Sequence, residues 1–194
     1  MQITSFARWI LAISIVSLAA CGDDGGGGMD GPPAAELTCA SYCSSITANC
    51  TTTNSQFTGM TDCMASCTHY PLGALSDMAG NTLGCRIYHA GAAASGPDVH
   101  CRHAGPGGNT ACGADCLGFC TLVLGSCTGA NVQFGGDMAT CMTTCAGYAT
   151  TPAYSSTVTN GNSFACRLYH ATQAAVNPTT HCGHTSSVGT PPCN

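Results

Sequence analysis

The chain has 194 residues, of which only 7% are charged, for a net charge of −5, where ordinary globular domains run to roughly 25% charged. It contains no lysine, and past residue 20 three arginines (Arg86, Arg102 and Arg167) face nine acids, a balance that argues against nucleic acid as a partner because a phosphate backbone would be repelled. Five Phe, one Trp and six Tyr offer little for a large core, so the 17 cysteines signal cross-links in its place and an oxidising compartment, with a reduced, thiolate-rich metal protein as the alternative.

Residues 1–20 read as an export signal. Arg8 makes the start positive, and Trp9 to Leu18 form an apolar stretch too short to span a bilayer. The stretch ends in Leu18, Ala19, Ala20 and Cys21, which resembles the lipobox of bacterial lipoproteins. That resemblance implies cleavage before Cys21, acylation of its thiol, and a membrane anchor through acyl chains. Gly22 stands where an aspartate commonly retains such proteins at the inner membrane, so the resemblance points to the outer membrane of the cell envelope. Residues 21–36, the lipidated cysteine and a stretch rich in Gly, Pro and Asp, form a tether whose coil would span on the order of 20 Å.

The sixteen cysteines after Cys21 fall into two matching sets. Cys39, Cys43, Cys50, Cys63, Cys67, Cys85, Cys101 and Cys112 step by 4, 7, 13, 4, 18, 16 and 11, and Cys116, Cys120, Cys127, Cys141, Cys145, Cys166, Cys182 and Cys193 step by 4, 7, 14, 4, 21, 16 and 11. The side chains between them match too: Tyr42 with Phe119, Phe57 with Phe134, Met64 with Met142, Tyr70 with Tyr148, Leu83 with Phe164. Two tandem copies of one disulfide-stapled domain are expected, at 37–113 and 114–194, with these apolar positions as their cores.

Cysteines four apart share one helical face, which predicts helices around Cys39 and Cys43, Cys63 and Cys67, and their counterparts. Thr38 and Asp115 are placed to cap the first helix of each copy, and Asn81 and Asn162 to cap a third helix that closes near Gly96 or Pro178. Strand signals are nearly absent, so the expected fold is all-α, small and disulfide-rich, with irregular loops. Facing CxxxC helices resemble the α-hairpinin arrangement in geometry alone, with two disulfides joining antiparallel helices. On that arrangement Cys39 pairs with Cys67, Cys43 with Cys63, Cys116 with Cys145 and Cys120 with Cys141, while the partners of the other cysteines stay open. Beyond the lipobox, the repeats point to no named family.

Two tags recur, CRIYH (Cys85 to His89) with CRLYH (Cys166 to His170), and HCRH (His100 to His103) with HCGH (His181 to His184). They match six of the seven histidines between the copies. One reading is a metal site per copy, His89 with His100 and His103, and His170 with His181 and His184, suited to Cu or Zn with a fourth position for water, a carboxylate or the Met64 thioether. The other is structural: the histidines, Arg86 and Arg167 cap helices or bond carbonyls in a loop-rich scaffold. The chain lacks CxxC, CxxCH, HExxH and GxSxG motifs and any visible pair of carboxylates. A non-catalytic lipoprotein is expected, acting as a binding or structural module for an envelope protein or, alternatively, for Cu or Zn.

Overall fold

Sulfurs four residues apart stack on one side of a helix, and the CxxxC segments that begin at Cys39, Cys63, Cys116 and Cys141 each lie in one, whereas Cys112 to Cys116 spans the junction between the repeats. The computed structural model describes residues 36–188 and 190–194; the export signal, Cys21 and nearly all of the tether lie outside them. The first repeat holds α1 (Cys39–Asn49), α2 (Met60–Cys67), α3 (Leu83–Ala92) and α4 (Pro97–Ala104). The second holds α5 (Asp115–Ser126), α6 (Met138–Cys145), α7 (Phe164–Ala174) and α8 (Pro178–His181), the last running into a 3-10 turn at Cys182–Thr185. The described residues contain no strand, and none of their helices is long and apolar enough to cross a membrane. The fold is all-α and disulfide-rich.

Capping follows the expected chemistry at some positions and shifts at others. Thr38 accepts from the Ser41 amide at the start of α1. The caps of α3 and α7 are Thr82 and Ser163, one residue past the asparagines that the sequence suggests. Asn81 is engaged elsewhere, its oxygen accepting from Arg86 and its amide donating to Thr121 of the other repeat. Asp115 is likewise not a cap: it is the first residue of α5, behind Ala114, and its carboxylate accepts from the Asn109 amide. α3 ends at Ala92 and α7 at Ala174; Gly96 precedes α4, and Pro97 and Pro178 open α4 and α8, where a missing N–H costs nothing.

Eight disulfides hold these short helices, all within their own repeat. Cys39–Cys67 and Cys43–Cys63 join α1 to α2, and Cys116–Cys145 and Cys120–Cys141 join α5 to α6. Cys50–Cys101 and Cys127–Cys182 tie the end of each first helix to the histidine-bearing segment, and Cys85–Cys112 and Cys166–Cys193 tie α3 and α7 to the segment that closes each repeat. Each repeat has one aromatic centre. Tyr42 meets Phe57 and Tyr70 edge-on, and Phe119 meets Phe134, Tyr148 and Phe164. The Tyr42 hydroxyl donates to the Ala104 carbonyl at 2.6 Å, so the buried phenol is satisfied where Phe119 has nothing to satisfy.

The described residues pack as one compact unit. Between the repeats, the Tyr154 hydroxyl donates to the Gln56 carbonyl at 2.8 Å, the Ser156 amide to the Ser55 carbonyl at 2.8 Å, and Gln173 to the Asp62 carboxylate at 3.0 Å. α5 lies so close to the connection that a Cβ on Gly118 would collide with the backbone of Pro106 and Gly107. Gly118→Ala is expected to destabilise by about 2 kcal/mol or more, since only backbone stands in the way. Gly91→Ala, in α3 with open space around it, should be neutral or gain up to about 1 kcal/mol. Chemical denaturation of both variants with disulfides intact checks the contrast.

Candidate metal centre

α3 and α4 pack against each other, and His89 on α3 faces His100 and His103 on α4. The spacing of three puts His100 and His103 on one side of α4, and Cys101 between them is bonded to Cys50 on α1, which sets the rotation of the helix. In the second repeat His170 on α7 faces His181, the last residue of α8, and His184 in the 3-10 turn, with Cys182 bonded to Cys127. In each set one imidazole is buried and two are half-buried, so the cluster has a closed back and an open front.

The two sets agree closely. His89 Nδ1 lies 2.9 Å from His100 Nδ1, and His170 Nδ1 lies 3.0 Å from His181 Nδ1 and 3.2 Å from His184 Nδ1. The rings of His89 and His100 stack at 5.2 Å, with His103 edge-on to His89 at 4.8 Å; the twin set shows 5.2 Å and 4.5 Å. His103 Nδ1 is buried and has no hydrogen-bond partner. Nitrogens bound to one ion at 2.0–2.1 Å in tetrahedral geometry stand about 3.3 Å apart, close to these separations.

Behind the cluster, His89 Nε2 lies 3.3 Å from the Met78 carbonyl, and His170 Nε2 lies 3.3 Å from the Thr159 carbonyl. A carbonyl only accepts, so Nε2 carries the ring proton and Nδ1 turns a lone pair inward. This is the arrangement by which an outer hydrogen bond fixes the tautomer and direction of a metal-binding imidazole. In the second repeat that lone pair faces two other Nδ1 atoms at once, and a cation would satisfy all three.

The disulfides Cys85–Cys112 and Cys166–Cys193 also lie against His89 and His170, but their sulfurs are bonded to each other and are not thiolate ligands. Met64 gains no support as a fourth ligand, since α2, which carries it, packs on α1 and α7 and not chiefly on α3 or α4. His69, the unmatched histidine, stands apart with Nε2 at 3.0 Å from the Ser126 hydroxyl. Arg86 and Arg167 are buried, each bonded to carbonyls and stacked over a tyrosine, Tyr70 at 3.8 Å and Tyr148 at 4.2 Å.

Burial shifts the imidazoles. Desolvation lowers His89, with the neighbouring His103 and His100 adding to it against the Met78 carbonyl; it lowers His103 and His181 likewise, and takes His170 from 6.5 to about 4. An unfolded chain therefore takes up protons before the folded one does, so the neutral cluster's contribution to stability is complete above about pH 6.5 and is lost as pH falls toward the folded values. The metal-free protein, kept in chelator with its disulfides intact, should melt at progressively lower temperature from pH 7 to pH 5, above the range where the lowered carboxyls of Asp77 and Asp137 begin to titrate. A melting temperature flat across that interval would contradict this.

Among known proteins, neither a comparison with curated sequences nor one with solved structures yields a match. Residues 33–115, the whole first repeat with the end of the tether and the start of α5, match the model of the BfoA family C-terminal domain, so this part of the chain is similar to a named family where its sequence suggested none.

Proposed function

We propose that this chain is a non-catalytic metal-binding lipoprotein of the cell envelope, each repeat taking one Cu or Zn ion on three imidazoles. The observation that carries the reading is the inward convergence of ring nitrogens, built twice on the same backbone frame. Neutral imidazole suits both metals, and three ligands with an open front leave a fourth position to water or a small ligand. Support also comes from the carbonyls of Met78 and Thr159, which set the tautomer a ligand requires. A purely structural histidine would be expected to end both ring nitrogens on carbonyls or helix termini, whereas His89 and His170 give Nε2 to a carbonyl and turn Nδ1 to neighbouring imidazoles.

The test is bound metal per chain after equilibration of the oxidised protein with Cu(II) or Zn(II) and desalting. Two ions are expected for the wild type, one for His100→Ala with His103→Ala, and none when His181→Ala and His184→Ala are added. Metal at one hundred times its Kd should stabilise each loaded site by about 2.7 kcal/mol, seen as a rise in melting temperature that the quadruple variant lacks. Less than one ion per wild-type chain at saturation, with no thermal shift, would leave the histidines as scaffold.

The anchor is tested separately. By the lipobox resemblance the mature chain starts at an acylated Cys21, so intact mass should show the acyl chains and detergent should be needed to release the protein. Cys21→Ser should lose both properties while keeping the metal stoichiometry. An unacylated wild-type N-terminus would remove the membrane from the proposal and leave the metal sites untouched.

A further inference from the structure

Between the repeats lies a cavity of about 210 Å³, walled by Gln56 and Arg102 of the first and by Asp115, Tyr154, Phe164 and Leu168 of the second. Gln56, Phe164 and Leu168 are buried, and Tyr154 belongs to the loop between Cys145 and Cys166, a step of 21 where the first copy has 18. The walls come from both copies, so neither repeat forms this cavity alone. It is smaller than the roughly 300–1,000 Å³ of pockets that take drug-sized ligands, and so has room for a molecule of few heavy atoms.

Arg102 and Asp115 are the charged side chains of the wall, and neither has a counterpart in the other copy: Gly183 stands at the position of Arg102 and Thr38 at that of Asp115. Thr38 caps α1, whereas Asp115 turns its carboxylate back to the connection between the repeats. There Oδ1 accepts from the Asn109 amide at 2.9 Å, and it lies so near Gly107 that a Cβ on that residue would meet it at 2.6 Å. Burial raises the Asp115 carboxyl, the Asn109 amide opposes the shift, and no cation stands near enough to relieve it. Oδ2 accepts from no described residue and is not sealed from solvent. Arg102 makes no hydrogen bond or ion pair among the described residues; Asp98, one turn earlier on α4, accepts from Asn54 at 2.8 Å instead. Two opposite charges thus face one cavity without closing on each other.

We propose that this cavity binds a free α-amino acid with a small apolar side chain, whose ammonium donates to Asp115 Oδ2, whose carboxylate accepts from the Arg102 guanidinium, and whose side chain lies against Phe164 and Leu168. A singly charged ligand fits less well. A carboxylate alone would leave the half-buried Asp115 without a cation, and an ammonium alone would leave Arg102 unengaged, whereas a zwitterion brings each its opposite charge and adds no net charge to the cavity. Charge-assisted hydrogen bonds are about twice as strong as neutral ones, and the Tyr154 hydroxyl is already committed to the Gln56 carbonyl, so recognition rests on the two charges. The site uses no histidine and needs no metal.

The probe is L-valine, titrated by calorimetry into the full chain with disulfides intact and metal removed by chelator. Isobutylamine, which is valine without its carboxylate, and isovalerate, which is valine without its ammonium, are titrated alongside. Valine should bind saturably at one site per chain, and each analogue should bind about tenfold or more weakly, the loss expected for one charged hydrogen bond. These arms use the wild-type chain and do not depend on a variant folding. Arg102→Gln should remove the advantage of valine over isobutylamine, and Asp115→Asn its advantage over isovalerate, with near-ultraviolet circular dichroism checking that both variants are folded. The proposal is overturned if valine shows no saturable binding at millimolar concentration, if either analogue binds as tightly as valine, or if folded Arg102→Gln and Asp115→Asn chains bind valine as the wild type does.

Discussion

The histidine clusters depend on one covalent constraint, the disulfide that fastens the short segment carrying two imidazoles to the first helix of its repeat. α4 is 8 residues long and α8 only 4, far below the length at which a helix persists alone in water. Cys101 and Cys182 lie between the two histidines of their segments and bond to Cys50 and Cys127, which stand 51 and 55 residues earlier. In the chain-entropy model a loop of that size gives about 4 kcal/mol, and at this position the gain falls directly on the elements that aim the imidazoles. The aromatic centres built on Tyr42 and Phe119 then hold the first helix against which the segment is braced.

Holding three neutral imidazoles within touching distance has a cost that the scaffold must bear in the absence of a cation. The lowered proton affinities of His89, His103, His170 and His181 express it: the fold resists adding charge there. On the proposed function a divalent metal ion would reverse the balance, because an inward lone pair would become a ligand and the carbonyl behind the ring would strengthen it. The imidazoles already converge, so binding would ask little reorganisation of the protein.

Much of the architecture is readable from the chain because the signals are periodic and local. CxxxC marks the hairpin helices, and the repeated spacing of eight cysteines marks the duplication. The caps at Asn81 and Asn162 are misread by one residue because Thr82 and Ser163 stand beside them with equal capping chemistry, and only the fold reveals that Asn81 is engaged by Arg86 and Thr121. The coupling of Cys50 to Cys101 and of Cys85 to Cys112 leaves no local mark, since those partners meet only in three dimensions. The histidine sets can be suspected from the repeated CRxYH and HCxH tags. The groups that orient them cannot, because Met78 and Thr159 contribute backbone oxygens from loops whose lengths differ between the copies.

The loop of the second repeat that carries Tyr154 and Ser156 has become a cover for the first. Beneath it Gln56 and Phe57 are 2% and 4% exposed, whereas their counterparts Gln133 and Phe134 are half-buried and Val132 beside them is 48% exposed. Copies that share one pattern are thus no longer interchangeable. A chain that lost the second repeat would put Gln56 and Phe57 in water, so duplication here behaves as a ratchet: once one half covers the other, deleting the cover damages the half that remains.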